Sequence, residues 1–284
     1  MSTVIENEFL RAEIKERGAE LSSVKNRGGY EYIWQGDEKI WAKQCPVLFP
    51  VCGRLVNKKY RYGGNTYEMN SHGFASASVF RAERLSETAA LFTLTENEET
   101  LAQYPFCFVF SVKYELVGRE LVVEYAVKNA DDKDLYFSFG AHEAYNVRNF
   151  DRWSVEFERQ EDLYVKKQAS PGYLGEGREL FRAGVKELPL NYELFLNDAL
   201  IFDGLRSRFV TLKREGRPVV TVDFHGFDEL LLWTKAGAPY LCIEPWNGLP
   251  DYADTDGEFT RKKGIRKLAA GETFSSVHRI GFCE

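Results

Sequence analysis

The sequence lacks several features that would identify whole classes of protein. It has only four histidines, and its five cysteines are scattered along 284 residues with no pair at the CxxC spacing. That absence argues against zinc ribbons and thioredoxin-like redox sites, and reduced thiols in the cytoplasm are the simpler prediction. No apolar run approaches the roughly 20 residues of a membrane span. The N-terminus also lacks the basic-then-apolar pattern of a signal peptide, so we expect a cytoplasmic protein without a membrane partner.

An excess of positive charge is also missing. Lys and Arg number 37 against 43 Asp and Glu, which gives a formal net charge of −6 and argues against a nucleic-acid partner. The motifs GxSxG, HExxH, GxxxxGK[ST] and GxGxxG do not occur. The sequence therefore contains no motif that would indicate a serine hydrolase, a zincin or a nucleotide-binding protein.

Aromatic residues and alternating apolar residues are plentiful. Phe, Tyr and Trp make up 14% of the chain. Apolar residues occupy every second position in Cys107–Leu116 and again after the turn signal Gly118-Arg119, which predicts a β-hairpin. Helical periodicity is confined to Glu96–Gln103 and Asn191–Leu196. Many short strands without alternating helices predict an all-β fold, a large antiparallel β-sandwich, formed by one domain over residues 1–284.

Three segments combine polar side chains with strongly apolar surroundings. In two of them, His142 and Glu244 follow directly on β-like runs, where a strand leaves the core and its side chains can reach a cleft. An imidazole and a carboxylate placed in this way could form an acid–base pair. The segments are PVCGR at 50–54 with NSHGFA at 70–75, FSFGAHEAYN at 137–146, and CIEPWNGLPD at 242–251.

Each of these residues also has a structural interpretation. His142 could be a hydrogen-bonded core residue, Glu244 could anchor a loop through backbone N–H groups, and Arg54 could form an ion pair. Trp246 could belong to the core, although a Trp beside Asn247 and Gly248 also suits stacking against a sugar. The acidic segment 251–257 fails the EF-hand pattern and is predicted to be an exposed turn.

Together the segments resemble the galactose mutarotase (aldose 1-epimerase) family, particularly its LacX-like branch. The similarity runs nearly end to end and implies a mutarotase-like supersandwich with an open sugar-binding cleft. It implies that His142 is the catalytic acid and Glu244 the catalytic base, with His72 and Arg54 binding substrate hydroxyls. Asp198, in the segment NDALIF, is similar to the family's substrate-binding aspartate.

This resemblance implies ring opening and reclosure of a free aldohexose without a metal or organic cofactor. With ordinary pKa values near 6.5 and 4.3, His142 would begin as the acid and Glu244 as the base. Hexose-6-phosphate epimerases carry an Arg after HGFA, whereas this chain has Ser76, so we expect a neutral sugar. A hexose-6-phosphate epimerase and a non-catalytic carbohydrate-binding or sensing protein remain alternatives. The oligomeric state stays open, with a homodimer as one option.

Overall fold

The protein is built almost entirely from antiparallel strands. The computed structural model describes residues 1–283. Within them lie 21 strands: β1 (Ser2–Glu6), β2 (Leu10–Lys15), β3 (Leu21–Asn26), β4 (Lys59–Tyr62), β5 (Asn65–Glu68), β6 (Arg81–Arg84), β7 (Ala89–Thr95), β8 (Phe108–Val117), β9 (Glu120–Asn129), β10 (Leu135–Phe137), β11 (Phe139–Gly140), β12 (Glu143–Asn146), β13 (Trp153–Ser170), β14 (Tyr173–Pro189), β15 (Leu200–Ile201), β16 (Phe209–Arg214), β17 (Arg217–Asp223), β18 (Glu229–Trp233), β19 (Tyr240–Asn247), β20 (Arg266–Leu268) and β21 (Thr273–Phe282). The predicted all-β antiparallel fold is confirmed.

Two sheets dominate the fold. The larger has nine strands in the order β14-β13-β16-β17-β21-β9-β8-β7-β6. The smaller has β19 at its centre, paired with β18 on one side and with β11 and β12 on the other, while β15 completes it beyond β18. Three small sheets, β1-β2-β3, β4-β5 and β10-β20, flank these two.

Helical segments are short. The predicted helix at Glu96–Gln103 is α1 (Glu98–Gln103), which begins after Asn97, whose side chain accepts a hydrogen bond from the Thr100 N–H. The other helical segments are single 3₁₀ turns at Val56–Lys58, Ala75–Ala77, Phe150–Arg152, Tyr192–Phe195 and Phe259–Arg261. Within residues 1–283 no helix has the length and apolar character needed to cross a membrane.

The alternation read from the sequence places side chains as expected in β8 and β9. These strands pair in the predicted hairpin, and the turn uses Gly118 at φ +57°. The apolar residue at every second position of both strands is buried, whereas the intervening positions are partly exposed. Burial of one face against the core therefore fixes the register of the hairpin.

Aromatic rings fill the space between the two main sheets. Phe139 of β11 stacks on Tyr125 of β9 with 5.5 Å between ring centroids. Phe49 stacks on Phe110 of β8 at 4.4 Å. Offset stacking of this kind adds about 0.5–1.5 kcal/mol per pair beyond the apolar area that it buries. It also anchors the short strand β11, which leads directly into His142.

The acidic segment 251–257 differs from its prediction at its first residue. Asp251 is buried, accepts a hydrogen bond from the Val56 N–H, and lies 2.9 Å from the buried Lys262 ammonium. Asp256, which is exposed, pairs with Arg261 as an ordinary turn residue would. The pattern of acidic residues could not reveal Asp251 as buried, because its cationic partner comes from a later segment.

Candidate active site

All six side chains selected from the sequence line one open cavity of about 270 Å³. The smaller sheet contributes Glu244 and Trp246, and loops contribute the remaining four. The six are Arg54, His72, His142, Asp198, Glu244 and Trp246. A cavity of this size with a few convergent polar groups is suited to a small molecule.

His142 and Glu244 are in direct contact on the cavity wall. Strands β11 and β12 are separated by a two-residue break in the strand structure, at Ala141 and His142. Within this break the Ala141 N–H donates a hydrogen bond to the Pro245 carbonyl in β19. This bond holds the break against the strand that carries Glu244. As a result the His142 Nε2 and Glu244 Oε2 atoms lie 3.3 Å apart, with the two residues 7% and 2% exposed.

Close packing around this break requires a glycine. A Cβ atom at position 140 would lie 2.5 Å from the Trp246 ring, too close for any side chain. The Trp246 ring is also held by a hydrogen bond, because its Nε1–H donates to the Ala141 carbonyl at 3.1 Å. Gly140 and Trp246 therefore set the position of the chain from which His142 projects.

Burial changes the protonation of the pair from the sequence expectation. Burial, reinforced by Glu143 and Asp198, raises the pKa of Glu244 well above its ordinary value. Burial, with smaller contributions from His72 and Lys43, lowers the pKa of His142 well below 6.5. Both shifts favour the uncharged forms in the open cavity, whereas ordinary pKa values predicted a charged imidazolium and carboxylate. Near neutral pH the pair thus holds one transferable proton, which resides on the Glu244 carboxyl, in addition to the N–H of the neutral imidazole.

His72 is held as a neutral hydrogen-bond donor. Its backbone lies in the left-handed region at φ +66°, and the Gly53 N–H donates to its Nδ1 at 3.2 Å. Burial, with the positive charges of Lys43 and Arg54, lowers the pKa of His72 to about 3. A neutral imidazole that accepts at Nδ1 carries its proton on Nε2, so His72 can donate one hydrogen bond to a ligand.

Arg54 and Asp198 lie at the exposed side of the cavity. Arg54 donates to the Pro171 carbonyl at 3.2 Å, and a Cβ atom at position 172 would lie 2.7 Å from its Nε. Asp198 has φ +93°, an uncommon conformation for a residue other than glycine. Its Oδ1 accepts the Ala199 N–H, which leaves the second carboxylate oxygen available to a ligand.

The sequence analysis missed several cavity residues, among them Trp41 and Lys43. The Trp41 ring stacks on His142 with 5.2 Å between centroids, and Trp233 meets the same imidazole edge-on at 5.6 Å. The Lys43 ammonium lies 3.3 Å from the Ser76 hydroxyl. Both residues come from an irregular segment without periodicity, so the sequence offered no signal for them. Lys43 also supplies positive charge beside Ser76, the position that was taken to lack it.

His142 and Glu244 also form a group of possible metal ligands with Cys242, which is not one of the residues that line the cavity. One ligand atom each from His142, Cys242 and Glu244 lies within 4.8 Å of the other two, and all three residues are buried.

Comparison with known proteins shows the family and the fold of this chain. A sequence model of the aldose 1-epimerase family matches residues 1–267. The chain is 34% identical to the chromosomal protein LacX of Lactococcus lactis subsp. lactis over 99% of both chains. It is 32% identical to a galactose mutarotase-like protein of Lactobacillus casei, with a TM-score of 0.95 over the whole of both chains. A galactose mutarotase related enzyme of Lactobacillus acidophilus is 31% identical, with a TM-score of 0.94 over 100% of this chain and 98% of that one. The galactose mutarotase-like all-β fold is thus established for this chain.

Proposed function

Because the chain belongs to the aldose 1-epimerase family, we propose that it is an isomerase that interconverts the α and β anomers of a free aldohexose. The observation that carries the proposal is the 3.3 Å contact between His142 Nε2 and Glu244 Oε2 on the wall of a cavity of small-molecule size. Binding a sugar does not require a matched acid and base. Opening and reclosing its ring uses both, since one proton must leave O1 while another reaches O5.

The pair can complete this cycle with the one proton that it holds. Transfer of that proton from Glu244 to His142 gives the reactive form, an imidazolium beside a carboxylate. Glu244 then takes the O1 proton while His142 protonates O5, and the C1–O5 bond breaks to give the aldehyde. After rotation about C1–C2, His142 recovers the O5 proton, Glu244 returns a proton to O1, and the ring closes as the other anomer. No proton is gained or lost.

The remaining cavity residues supply complementary contacts for a sugar. Neutral His72 and the Arg54 guanidinium offer hydrogen-bond donors, and Asp198 offers an acceptor, which suits hydroxyls that both donate and accept. Trp41 and Trp246 present apolar ring surface to the C–H groups of a pyranose.

The opposite pKa shifts of the pair also predict a broad pH profile. The one-proton state persists between the lowered pKa of His142 and the raised pKa of Glu244. Catalysis should therefore vary little with pH through neutrality. A steep change in kcat/KM centred near pH 6.5 would show instead that His142 titrates as an ordinary exposed histidine.

Anomer exchange measured by NMR or polarimetry on a panel of aldohexoses tests the function directly. We expect exchange above the buffer rate for at least one free aldohexose, proportional to protein concentration. Saturable sugar binding with no acceleration of exchange would identify a carbohydrate-binding or sensing protein and overturn the proposal.

A further inference from the structure

Cys242 brings a third metal-binding group to the His142–Glu244 pair. It lies two residues before Glu244 in β19, so the two side chains project from the same face of the strand. Its thiol is buried and forms no disulfide. Together the three residues provide one nitrogen, one sulfur and one oxygen ligand within 4.8 Å of one another. The acid–base reaction uses only two of these groups.

The contact between the first two ligands already has the dimensions of a zinc site. Nitrogen and oxygen ligands bound at about 2.0–2.1 Å to a tetrahedral Zn²⁺ are separated by about 3.3 Å. The His142 Nε2 and Glu244 Oε2 atoms are 3.3 Å apart. The third ligand must approach more closely than the 4.8 Å limit for one ion to bind all three groups. Three protein ligands leave the fourth position of a tetrahedral ion free for water or a sugar hydroxyl.

His142 would offer its Nε2 atom to this ion, because Nε2 is the ring nitrogen that faces Glu244. Its other ring nitrogen, Nδ1, is buried without a hydrogen-bond partner among the described residues and would not contact the ion.

We propose that His142, Cys242 and Glu244 bind one thiophilic divalent cation, best matched by Zn²⁺, and that the bound ion inhibits the enzyme. Binding stands independently of the proposed function, whereas inhibition rests on it, because the ion would occupy the atoms that exchange protons with the sugar. From the uncharged state of the site, the Cys242 thiol and the Glu244 carboxyl each release a proton to solvent as the ion binds.

Cobalt titration of the metal-free, full-length protein tests the binding. Co²⁺ in such a site should give near-ultraviolet thiolate-to-metal charge-transfer absorption, with one equivalent bound and subsequent displacement by Zn²⁺. Cys242→Ser should abolish that absorption and weaken Zn²⁺ binding by at least about tenfold in calorimetry. Cys107→Ser is the matched control, because Cys107 is a partly exposed free thiol that does not belong to the group of possible metal ligands. Cys242→Ala provides a second variant if the serine is poorly tolerated in the core.

Anomer exchange and sugar binding then test the inhibition. Zn²⁺ should suppress exchange in the wild type, EDTA should restore it, and Cys242→Ser should exchange at the wild-type rate with reduced zinc sensitivity. Cobalt binding without the charge-transfer band, or a band that survives in both Cys242 variants, overturns the site. A cysteine-dependent site whose occupation leaves sugar binding and exchange unaltered overturns the inhibition alone. If the protein accelerates no exchange at all, the proposed function fails while the spectroscopic result still stands.

Discussion

The two sides of the smaller sheet each carry a buried His–Glu pair. On the cavity side, His142 contacts Glu244 at 3.3 Å; on the core side, His278 contacts Glu143 at 3.5 Å. Adjacent residues of the chain thus serve pairs on opposite sides of the smaller sheet. The first pair borders a cavity, whereas His278 is 0% exposed between the two main sheets.

Burial shifts the pKa values of the two pairs in the same directions. Burial raises the pKa of Glu143 to about 8 and lowers the pKa of His278 to about 3, the same directions as in Glu244 and His142. Access to a ligand therefore distinguishes the two pairs, rather than their intrinsic acid–base chemistry. The cavity pair can pass its proton to a substrate, while the core pair can influence only the stability of the fold.

The largest difference should come from the two glutamates. Glu244→Gln keeps the shape of the side chain but cannot accept the O1 proton, so anomer exchange should fall by about 10²–10⁴-fold while sugar binding persists. Glu143→Gln should retain wild-type exchange, because a carboxyl with a pKa of about 8 is already largely protonated at pH 7. NMR exchange kinetics and calorimetric sugar binding on both variants measure this. Equal losses of anomer exchange in the two variants would show that access to the cavity does not distinguish the two pairs.

The matched histidines sharpen the same contrast. His142→Asn removes the proton donor to O5 and should reduce exchange by at least about 10²-fold. His278→Asn should lower the free energy of unfolding, because it leaves space in the core, yet the folded fraction should keep its activity. Exchange rates per folded protein, with the fraction folded determined by circular dichroism, separate the two effects. Full activity in His142→Asn would instead point to His72 as the acid.

Titration of Glu143 should lower the free energy of unfolding as the pH rises, and titration of His278 should lower it as the pH falls. Glu143 holds its proton more tightly in the folded state, so its contribution is present below pH 4.5 and is lost as the pH rises towards 8. His278 resists protonation, so its contribution is present above pH 6.5 and is lost as the pH falls towards 3. Each loss amounts to about 5 kcal/mol at most.

Urea unfolding of the wild type and Glu143→Gln at pH 5, 7 and 9 checks the alkaline half of this prediction. The variant should gain stability relative to the wild type as the pH rises, since an amide has no charge to bury. A constant difference between the two proteins across this range would show that Glu143 does not titrate in the folded state.

The sequence predicted those parts of the fold and of the site that depend on local sequence pattern. Alternation alone predicted the β8–β9 hairpin, because each strand buries every second side chain. The predicted positions of His142 and Glu244 after apolar runs, together with the family resemblance, brought both into one predicted site. The structure corrects the position of Glu244, which lies inside β19 and not beyond its end. The core pair was not foreseen, since His278 and Glu143 lie 135 residues apart and meet only when the two sheets pack. Protonation states were also misjudged, because they depend on a depth of burial that the sequence pattern does not reveal.

The smallest expected effect concerns substrate charge at the open side of the cavity pair. Lys43 and Arg54 border the cavity together with Asp198, while burial favours the uncharged form of Glu244, so two cationic groups and one carboxylate face a ligand. A phosphate dianion usually requires a cluster of guanidinium or ammonium groups, and two cations accompanied by a carboxylate favour a neutral sugar. We therefore expect kcat/KM to be higher for glucose than for glucose 6-phosphate. Lys43→Met should reduce the rate with the phosphate further and leave the rate with glucose nearly unchanged. A preference of about tenfold for the phosphate, about 1.4 kcal/mol, that disappears in Lys43→Met would show that Lys43 takes the place of the arginine absent at Ser76.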